Sequence, residues 1–423
     1  MNLIDIQKLA KTDKKSAEEK LLVLTREIFP QLSIQKILID QKSYSLNSVF
    51  GFITIERKEY FFKFHSEEGE EKTLKEYYNS ELLSKNGFPT LLPVYKSTKP
   101  GKQFLIYKKI SDPNVFDVLD RLEKTYLKNK TYDQKLKTKL IKTEESFYKQ
   151  IIKKSLQTLK TVPAKKVAKE EINQLFYNRL VSDITTPRLD LFYKNKSMGL
   201  PNGTILSFED LKRLHWNIDG VLYKKTIDEL IIEAKRLLNP LRLTRYPVIT
   251  GHGDDHNGNK FFTKKGFVYF DPAFAGENQY ALLTFIKTTF HDCLAHPLWL
   301  YDPKDFNIEL YNTIKKNVIE IETNFNWISW APVREELLWI KIKQLWVPLI
   351  KKLKSKNLLE KEWEIFIRSA LFTCPFLVYN LIDEKRISPL HSLFALSQCV
   401  VVGSKSKNGP MEKYFEYMKE MLN

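Results

Sequence analysis

Two short stretches of this chain carry side chains whose types and spacing could do chemistry. Residues 252–259 read HGDDHNGN, and residues 270–276 read FDPAFAG. They supply the carboxylates of Asp254 and Asp271 and the carboxamide of Asn259. Hard oxygen ligands of this kind suit Mg²⁺, which binds to one or two carboxylates together with phosphate oxygens and water. A carboxylate kept off the metal could accept a proton from a hydroxyl group, as phosphoryl transfer requires.

The elements around these stretches should bring the three side chains together. The apolar run RYPVIT at 245–250 predicts a strand that enters a polar loop carrying Asp254 and Asn259. KFFTKKGFVYF at 260–270 predicts a hairpin around Lys265-Gly266. This hairpin returns the chain so that Asp271 ends a strand beside the polar loop.

The first ~110 residues are predicted to form a small strand-rich unit with one helix. Residues 48–64 alternate like two strands of a hairpin with a polar turn at 56–59. Residues 70–86 have a helical period that stops at Asn86-Gly87. Two more short strands are expected on either side of the Pro-Gly turn at 100–101.

The rest of the chain is predicted to be mainly helical, from about residue 113 and again after about residue 278. Thr226 and Glu229 form a capping-box pattern that should open a helix running through Leu238. One apolar stripe marks the Lys-rich segment, formed by Phe147, Ile151, Ile152, Leu156, Leu159 and Val162. Such a stripe favours a helix that covers the large unit with its basic face in solvent.

HGDDHNGN followed by FDPAFAG resembles the catalytic loop and metal loop of the aminoglycoside phosphotransferase-like, or choline kinase-like, family of the protein kinase-like fold. The family pattern is HGDxHxGN and then an Asp near a Gly. The resemblance implies an α+β, bilobal fold with a strand-rich N-lobe (1–110) and a large, mainly helical C-lobe (111–423). The C-lobe would include a basic helical insert at about 115–205. The resemblance also implies ATP and Mg²⁺ as cofactors.

Carried over by residue, the resemblance makes Asp254 the catalytic base and makes Asn259 and Asp271 the Mg²⁺ ligands. Asp255 follows Asp254 directly, and the five-residue spacing to Asn259 favours Asp254 as the base. His252 is implied to brace the loop. We interpret both His252 and His256 as scaffold, because an HxxxH metal site needs a helix to align its two imidazoles.

Residues of the N-terminal unit fit the same resemblance. Lys63 on the second strand matches the Lys that positions ATP, and Glu76 on the following helix matches its partner, with Glu81 as a competing candidate. The loop over the phosphates would run from Asn47 to Gly51. The backbone at about Lys108 to Ile110 would contact the adenine edge.

The function that follows is ATP- and Mg²⁺-dependent transfer of the γ-phosphate to a hydroxyl of a small metabolite. A Ser/Thr protein kinase is the first alternative, although Asn278 lies only seven positions after Asp271 and no APE motif follows. A nucleic-acid-binding or scaffolding pseudokinase is the second alternative. Six of the seven Trp lie in the C-terminal tail, where they form either an aromatic acceptor pocket or, as helical spacing favours, core.

Net charge and cysteine content limit the possible partners and the cellular compartment. The net charge is +17, and residues 121–170 alone hold fifteen Lys or Arg against five Asp or Glu. Anionic partners are favoured, but this one segment supplies few aromatic side chains for stacking, which argues against nucleic acid. Three scattered cysteines, an N-terminus without an apolar stretch and the absence of an 18-residue apolar run predict a cytoplasmic protein without a membrane span.

Overall fold

The N-terminal lobe is built on a five-stranded antiparallel sheet with the spatial order β1-β2-β3-β5-β4. The computed structural model describes residues 3–10, 12–40, 48–65, 75–99, 101–182, 185–295, 297–300, 308–326 and 331–422. The elements of this lobe are α1 (Leu3–Ala10), α2 (Lys14–Ile28), β1 (Ile34–Ile39), β2 (Ser48–Ile55), β3 (Lys58–His65), α3 (Lys75–Lys85), β4 (Tyr95–Ser97) and β5 (Phe104–Lys108).

The two faces of this sheet differ because side chains alternate along each strand. Phe62, Phe64 and Phe104 stack on one another and join the core under α1 and α2. Lys63, which lies between the two β3 phenylalanines in sequence, points to the opposite face with Leu105 opposite it on β5. The functional face of the N-lobe is therefore the one turned away from the N-terminal helices.

The prediction of a single helix in the first ~110 residues is wrong, since α1 and α2 precede the sheet. Helix α2 begins at the N-cap Asp13 and buries Ala17, Leu21 and Leu24 at helical spacing. The predicted hairpin at 48–64 is confirmed. Its two-residue turn, Glu56-Arg57, has positive φ at both positions, as the twist of a tight hairpin demands.

The C-terminal lobe is mainly helical, which confirms the predicted α+β bilobal class. Its helices are α4 (Val115–Asn129), α5 (Gln134–Gln157), α6 (Ala164–Val167), α7 (Tyr177–Leu180), α8 (Arg188–Tyr193), α9 (Phe208–Leu211), α10 (Ile227–Leu237), α11 (Ile286–Thr289, continued by a π-helical turn Phe290–Leu294), α12 (Pro297–Leu300), α13 (Pro332–Lys341, continued by a π-helical turn Ile342–Trp346), α14 (Val347–Ser355), α15 (Trp363–Val378), α16 (Pro389–Gly403) and α17 (Glu412–Glu420).

The strands of this lobe form small sheets. They are β6 (Lys160–Pro163), β7 (Ser197–Gly199), β8 (Ile205–Ser207), β9 (His215–Ile218), β10 (Val221–Leu222), β11 (Arg245–Gly251), β12 (Lys260–Thr263), β13 (Gly266–Tyr269), β14 (Gly276–Tyr280), β15 (Leu310–Lys315) and β16 (Val318–Thr323). Short 3₁₀ turns lie at Glu171–Leu175 and Asn257–Asn259. The order β14-β11-β6 places the strand before the HGDDHNGN loop at the centre of a three-stranded sheet.

Several local predictions are confirmed by these bounds. The capping box of Thr226 and Glu229 is formed at the start of α10. The hairpin around Lys265-Gly266 is the β12-β13 pair. The basic segment is the helix α5, which buries Phe147, Ile151 and Ile152 as the stripe predicts. Leu159 and Val162 were placed wrongly on that stripe, because α5 ends at Gln157 and the chain continues into β6.

The prediction that everything after about residue 278 is helical is wrong. Residues 310–323 form a hairpin, and β16 pairs in parallel with β9 to build the sheet β10-β9-β16-β15. Lys316 has a positive φ in the two-residue turn of this hairpin. The alternation in NVIEIET carried the strand signal, while neither turn residue is the Gly that usually marks such a turn.

Two further features bear on the sequence predictions. No helix in the described part of the chain is long and apolar enough to cross a membrane. Cys293, Cys374 and Cys399 are all buried and free. The chain therefore has no disulfide, which agrees with the spacing of its cysteines.

Candidate active site

The HGDDHNGN loop and the β12-β13 hairpin bring Asp254, Asn259 and Asp271 to one place. Asn259 Nδ2 donates a hydrogen bond of 2.9 Å to the backbone oxygen of Asp254. The backbone N–H of Phe270 donates a hydrogen bond of 2.8 Å to the backbone oxygen of Asn259. This bond holds the start of the Asp271 loop against the HGDDHNGN loop. The convergence predicted from the two stretches is thus formed by short backbone and side-chain hydrogen bonds.

Lys63 reaches across from the N-lobe sheet and forms an ion pair with Asp271. The Lys63 side chain is only 3% exposed, whereas that of Asp271 is 29% exposed. Asp271 has a φ of 52°, a left-handed conformation that a non-glycine residue rarely adopts. Backbone strain of this kind clusters at functional sites. This ion pair joins the functional face of the N-lobe to the loop of the C-lobe.

The side chain of Asp254 faces cations and makes no hydrogen bond within the described residues. Its Oδ1 lies 3.8 Å from Lys287 Nζ, and its Oδ2 lies 3.7 Å from His256 Nε2. Burial acts to raise the pKa of Asp254, but Lys287 and the two loop imidazoles outweigh burial, so the pKa lies below its usual value. Asp254 is therefore an ionised carboxylate at neutral pH, the state that a proton acceptor needs.

Asp255 lies on the opposite side of the loop and does not share the environment of Asp254. It is 2% exposed and receives hydrogen bonds from Tyr269 at 2.6 Å and Tyr148 at 3.2 Å. Lys260 Nζ forms an ion pair with it at 2.9 Å. All of these partners belong to the interior of the C-lobe, so Asp255 has a structural role.

His252 and Gly253 fix the shape of the loop. His252 is 2% exposed, and its Nε2 lies 3.0 Å from the backbone oxygen of Phe270. This contact links the two functional stretches, which agrees with the bracing role that we predicted. Gly253 has a φ of +80°, and a Cβ at this position would lie 2.2 Å from the oxygen of Phe274. Only glycine fits there.

The other predicted N-lobe residues are placed as follows. Asn47 lies outside the described residues, and so does the side chain of Glu76, whose backbone belongs to α3. Glu81 forms ion pairs with Lys85 at 3.7 Å and with Lys96 at 3.8 Å. Lys108 ends β5 and is exposed, and the segment that follows it through Ile110 leads to α4.

Four residues of the site were missed by the sequence reasoning. Asn79 of α3 donates to the backbone oxygens of Pro272 and Ala273 at 3.0 and 3.1 Å, directly after Asp271. Asp292 accepts from the backbone N–H of Asn257 at 2.7 Å. Lys287 and Arg179 lie on the cleft side of Asp254. Lys287 did carry a signal, since it is a lone cation in the apolar run 281–290.

The oxygen atoms of Asn259 and Asp271 fit a Mg²⁺ ion. Because the Asn259 amide nitrogen is used by the Asp254 carbonyl, its side-chain oxygen remains as the potential ligand. Asp271 adds a carboxylate. In the described part of the chain no cluster of three or more His, Cys, Asp or Glu could hold a metal alone. A divalent ion here would need phosphate oxygens as additional ligands, which is the common arrangement for Mg²⁺.

The described tryptophans of the C-terminal tail belong to the core. Trp299 and Trp346 are each 1% exposed, and Trp363 is 8% exposed. Trp339 packs on the rings of Tyr414 and Tyr417. Trp327 and Trp330 lie outside the described residues. The core interpretation therefore holds for the four described tail residues, and they supply no aromatic acceptor wall.

Comparison with known proteins gives matches of low identity among solved structures. No protein-family model matches the sequence, and the search of curated proteins gives no match. Among solved structures, a spectinomycin phosphotransferase in complex with ADP and spectinomycin is 14% identical over 90% of this chain and 98% of that one, with a TM-score of 0.36. A choline kinase from Cryptosporidium parvum is 10% identical over 96% of both chains, with a TM-score of 0.31. A Plasmodium vivax ethanolamine kinase is 11% identical over 93% of this chain and 92% of that one, with a TM-score of 0.37.

Proposed function

We propose that this protein is a phosphotransferase that moves the γ-phosphate of ATP, with Mg²⁺, to a hydroxyl group of a small molecule. The observation that carries the proposal is the ion pair of Lys63 with Asp271 across the two lobes, beside the Asn259–Asp254 hydrogen bond. Charge neutralisation and positioning are the main requirements of phosphoryl transfer, and this arrangement supplies both.

Each residue would have a distinct role. Lys63 would bind the phosphates of the nucleotide, with Glu76 as its proposed partner on α3. Asn259 and Asp271 would hold Mg²⁺, which neutralises the charge of the phosphates when bound. Asn47 and the backbone near Lys108 and Ile110 would contact the rest of the nucleotide, and the lobes would divide near residue 110.

In the chemical step, the acceptor oxygen forms a bond to the γ-phosphorus while the bond from that phosphorus to the β,γ-bridging oxygen breaks. The electron pair of the broken bond leaves with ADP. Asp254 orients the acceptor hydroxyl and accepts its proton, for which an ionised carboxylate is required. The lowered pKa of Asp254 supports this role.

The alternatives are weaker on specific grounds. A protein substrate needs an extended docking segment after the metal loop, but here β14 begins at Gly276 and pairs at once with β11. A pseudokinase would need no ionised Asp254 or ion-paired Lys63. A reducing compartment such as the cytoplasm is compatible with three free, buried cysteines.

The proposal is tested by comparing Asp271→Asn with Asp254→Asn in nucleotide binding and in ADP release. Asp271→Asn should abolish turnover and weaken Mg²⁺-dependent ATP binding. Asp254→Asn should bind Mg·ATP normally and lose about 10²-fold or more in turnover, because proton transfer and hydroxyl positioning act only in the chemical step. A metabolite screen that measures ADP release by the wild-type protein would identify the acceptor.

Lys63→Met and Glu81→Ala form a matched pair for the N-lobe. Lys63→Met should weaken productive ATP binding, whereas Glu81→Ala should leave it unchanged, since Glu81 pairs with Lys85 and Lys96. Full turnover in Asp254→Asn, or unchanged ATP dependence in Lys63→Met, would refute the proposal.

A further inference from the structure

The cleft side of Asp254 holds more positive charge than the proposed chemistry uses. Lys287 of α11 is 3% exposed, and its Nζ lies 3.8 Å from Asp254 Oδ1. On its other side Nζ lies 3.1 Å from His291 Nε2 and 5.9 Å from the centre of the Phe176 ring. A buried ammonium at this distance from the proposed base neutralises the charge of that carboxylate by itself.

Arg179 adds a second cation, which forms no close ion pair within the described residues and has Asp254 as its carboxylate neighbour. It lies on α7, three residues after the Phe176 that packs against Lys287. Its Nη1 atom is buried and has no hydrogen-bond partner, and no ion pair involving Arg179 is formed within the described residues. A buried hydrogen-bond donor without an acceptor is rare in folded proteins. The free-energy cost is larger when the donor is charged than when it is neutral.

Arg188 places a third positive charge in the same region. Its Nη1 donates to the backbone oxygens of Leu377 and Val378, the last residues of α15, at 3.2 and 3.3 Å. Burial, and to a smaller extent the charge of Arg188, lower the pKa of Arg179 to about 10.

Among the described residues, Asp254 is the one carboxylate that acts on the charge of Lys287. The electrostatic neighbours of Lys287 are Asp254, Arg179, Arg188 and the thiol of Cys374. Burial raises the pKa of the Cys374 thiol to about 11, so it is neutral at physiological pH. Burial and the Lys287 cation lower the pKa of His291 well below its usual value, so His291 adds no charge of either sign. Within the described residues, Lys287 and Arg179 therefore share the single carboxylate of Asp254.

We propose that the acceptor molecule carries an anionic group, a carboxylate or a phosphate, that Arg179 binds beside the hydroxyl to be phosphorylated. This inference rests on the proposed function, because it assigns the substrate class of the same site. The planar guanidinium with its parallel donors matches both kinds of anion. The positive charge of Lys287 offsets the charge of the ionised Asp254, which reduces the repulsion between this carboxylate and the approaching anion. Cationic acceptors such as amino sugars would meet like charge.

The same positive charge could instead serve the γ-phosphate of ATP, and the experiment separates the two sources. Inorganic phosphate and malonate are titrated by calorimetry into the full-length protein saturated with Mg·ADP and, separately, with a non-hydrolysable ATP analogue and Mg²⁺. We expect both anions to bind in the two states. Arg179→Gln should weaken this binding about 10- to 100-fold, the range of a charge-assisted hydrogen bond, and leave nucleotide affinity unchanged.

Arg213→Gln is the matched control, since Arg213 is exposed and lies outside this cluster. It should bind the anions like the wild type. Anions that bind only without the γ-phosphate, or an Arg179→Gln variant that loses ATP affinity but keeps anion binding, would assign the cluster to the nucleotide and overturn the inference. Absence of anion binding in the wild type would also overturn it.

Stability gives a second readout. An arginine with a structural role should destabilise the protein when it is replaced, whereas removal of an unpaired cation should leave the free energy of unfolding unchanged or raise it. A marked loss of stability in Arg179→Gln would contradict the inference.

Turnover measurements test the substrate class directly. The acceptors d-glycerate, glycerol and serinol are anionic, neutral and cationic alcohols of similar size. ADP release should be stimulated most by glycerate, and a preference for serinol would overturn the substrate class without affecting the phosphotransferase proposal.

Discussion

The two sides of the HGDDHNGN loop (residues 252–259) differ in how their buried charges are paired. On the interior side, Asp255 has hydrogen bonds on both carboxylate oxygens and an ion pair with Lys260. On the cleft side, Asp254 Oδ1 and Arg179 Nη1 are buried without hydrogen-bond partners. Saturated networks stabilise a fold, while unmatched groups are tolerated where a ligand completes them. The difference separates a scaffold from the proposed binding site, although Asp254 and Asp255 are adjacent in sequence.

The interior side is a network that ties the loop to three helices. Lys260, which is fully buried, contacts Asp255 and also Asp292 at 2.8 Å. Asp292 accepts from Thr288 and from the backbone of the loop. Lys341 of α13 pairs with Glu144 of α5 and lies 3.5 Å from Asp292. Because the charges alternate in sign, each desolvated group has a partner.

The largest expected effect is on stability, and it compares the same substitution at adjacent positions. Asp255→Asn leaves Lys260 without one of its two carboxylates and should lower the free energy of unfolding by about 3–5 kcal/mol. Asp254→Asn should lower it by clearly less, because Asp254 makes no close side-chain hydrogen bond and its ion pair with Lys287 spans 3.8 Å. Denaturant unfolding of the two variants measures both values. Equal losses would mean that the two sides do not differ.

The sequence did not predict this contrast between Asp254 and Asp255. The motif and its spacing placed Asp254, Asn259 and Asp271 correctly together, because they lie within one strand-loop-hairpin unit whose turns are short. Asp254 and Asp255 are identical in type, and their roles are set by Tyr148, Lys260 and Asp292, which come from other elements. Local periodicity carries no information on which distant side chain will meet a given carboxylate.

A double-mutant cycle on Lys341 and Glu144 should sharpen the same contrast. Lys341→Met leaves two buried carboxylates, Glu144 and Asp292, with less positive charge and should cost about 3 kcal/mol of stability. Adding Glu144→Leu should restore a large part of this loss, because replacing both members of a buried pair by apolar groups is often nearly neutral. Additive losses in the double variant would show that the pair does not act as a unit.

The pH dependence of turnover tests the cleft side. Since the pKa of Asp254 is lowered, the carboxylate stays ionised as pH falls, and base catalysis is lost only below the usual carboxyl pKa of about 3.9. Lys287→Met removes a cation that favours the ionised form, so the acid limb of the kcat/KM profile should move to higher pH. Lys149→Met, on the exposed face of α5, is the control and should leave the limb in place. An unchanged limb in Lys287→Met would separate Lys287 from Asp254.

The misplaced elements have a common physical cause. The β15-β16 hairpin and the helices α1 and α2 were missed because their signals are amphipathic patterns with little Gly or Pro punctuation, and Pro30 shortly after α2 is the one such residue at their ends. The buried Lys287 and Arg179 were missed for a different reason. Charged side chains are normally exposed, and only the packing of α7, α11 and α15 around the loop shows that these two are not.

The smallest effect is expected on the basic face of α5, where charge is solvated rather than enclosed. Lys137 forms a surface ion pair with Glu336, and Lys139 lies 4.8 Å from the centre of the Phe262 ring. Each of these contacts is worth about 1 kcal/mol or less. Replacing Lys135, Lys137, Lys139 and Lys142 together with Gln should therefore leave phosphotransfer nearly unchanged. Any weak nucleic-acid binding should fall steeply with salt and show no sequence preference. Sequence-selective binding that persists at ~200 mM salt in the wild type and vanishes in the four-Lys variant would make α5 a recognition surface. In that case the solvated charge, and not only the enclosed charge of the cleft, would have a function.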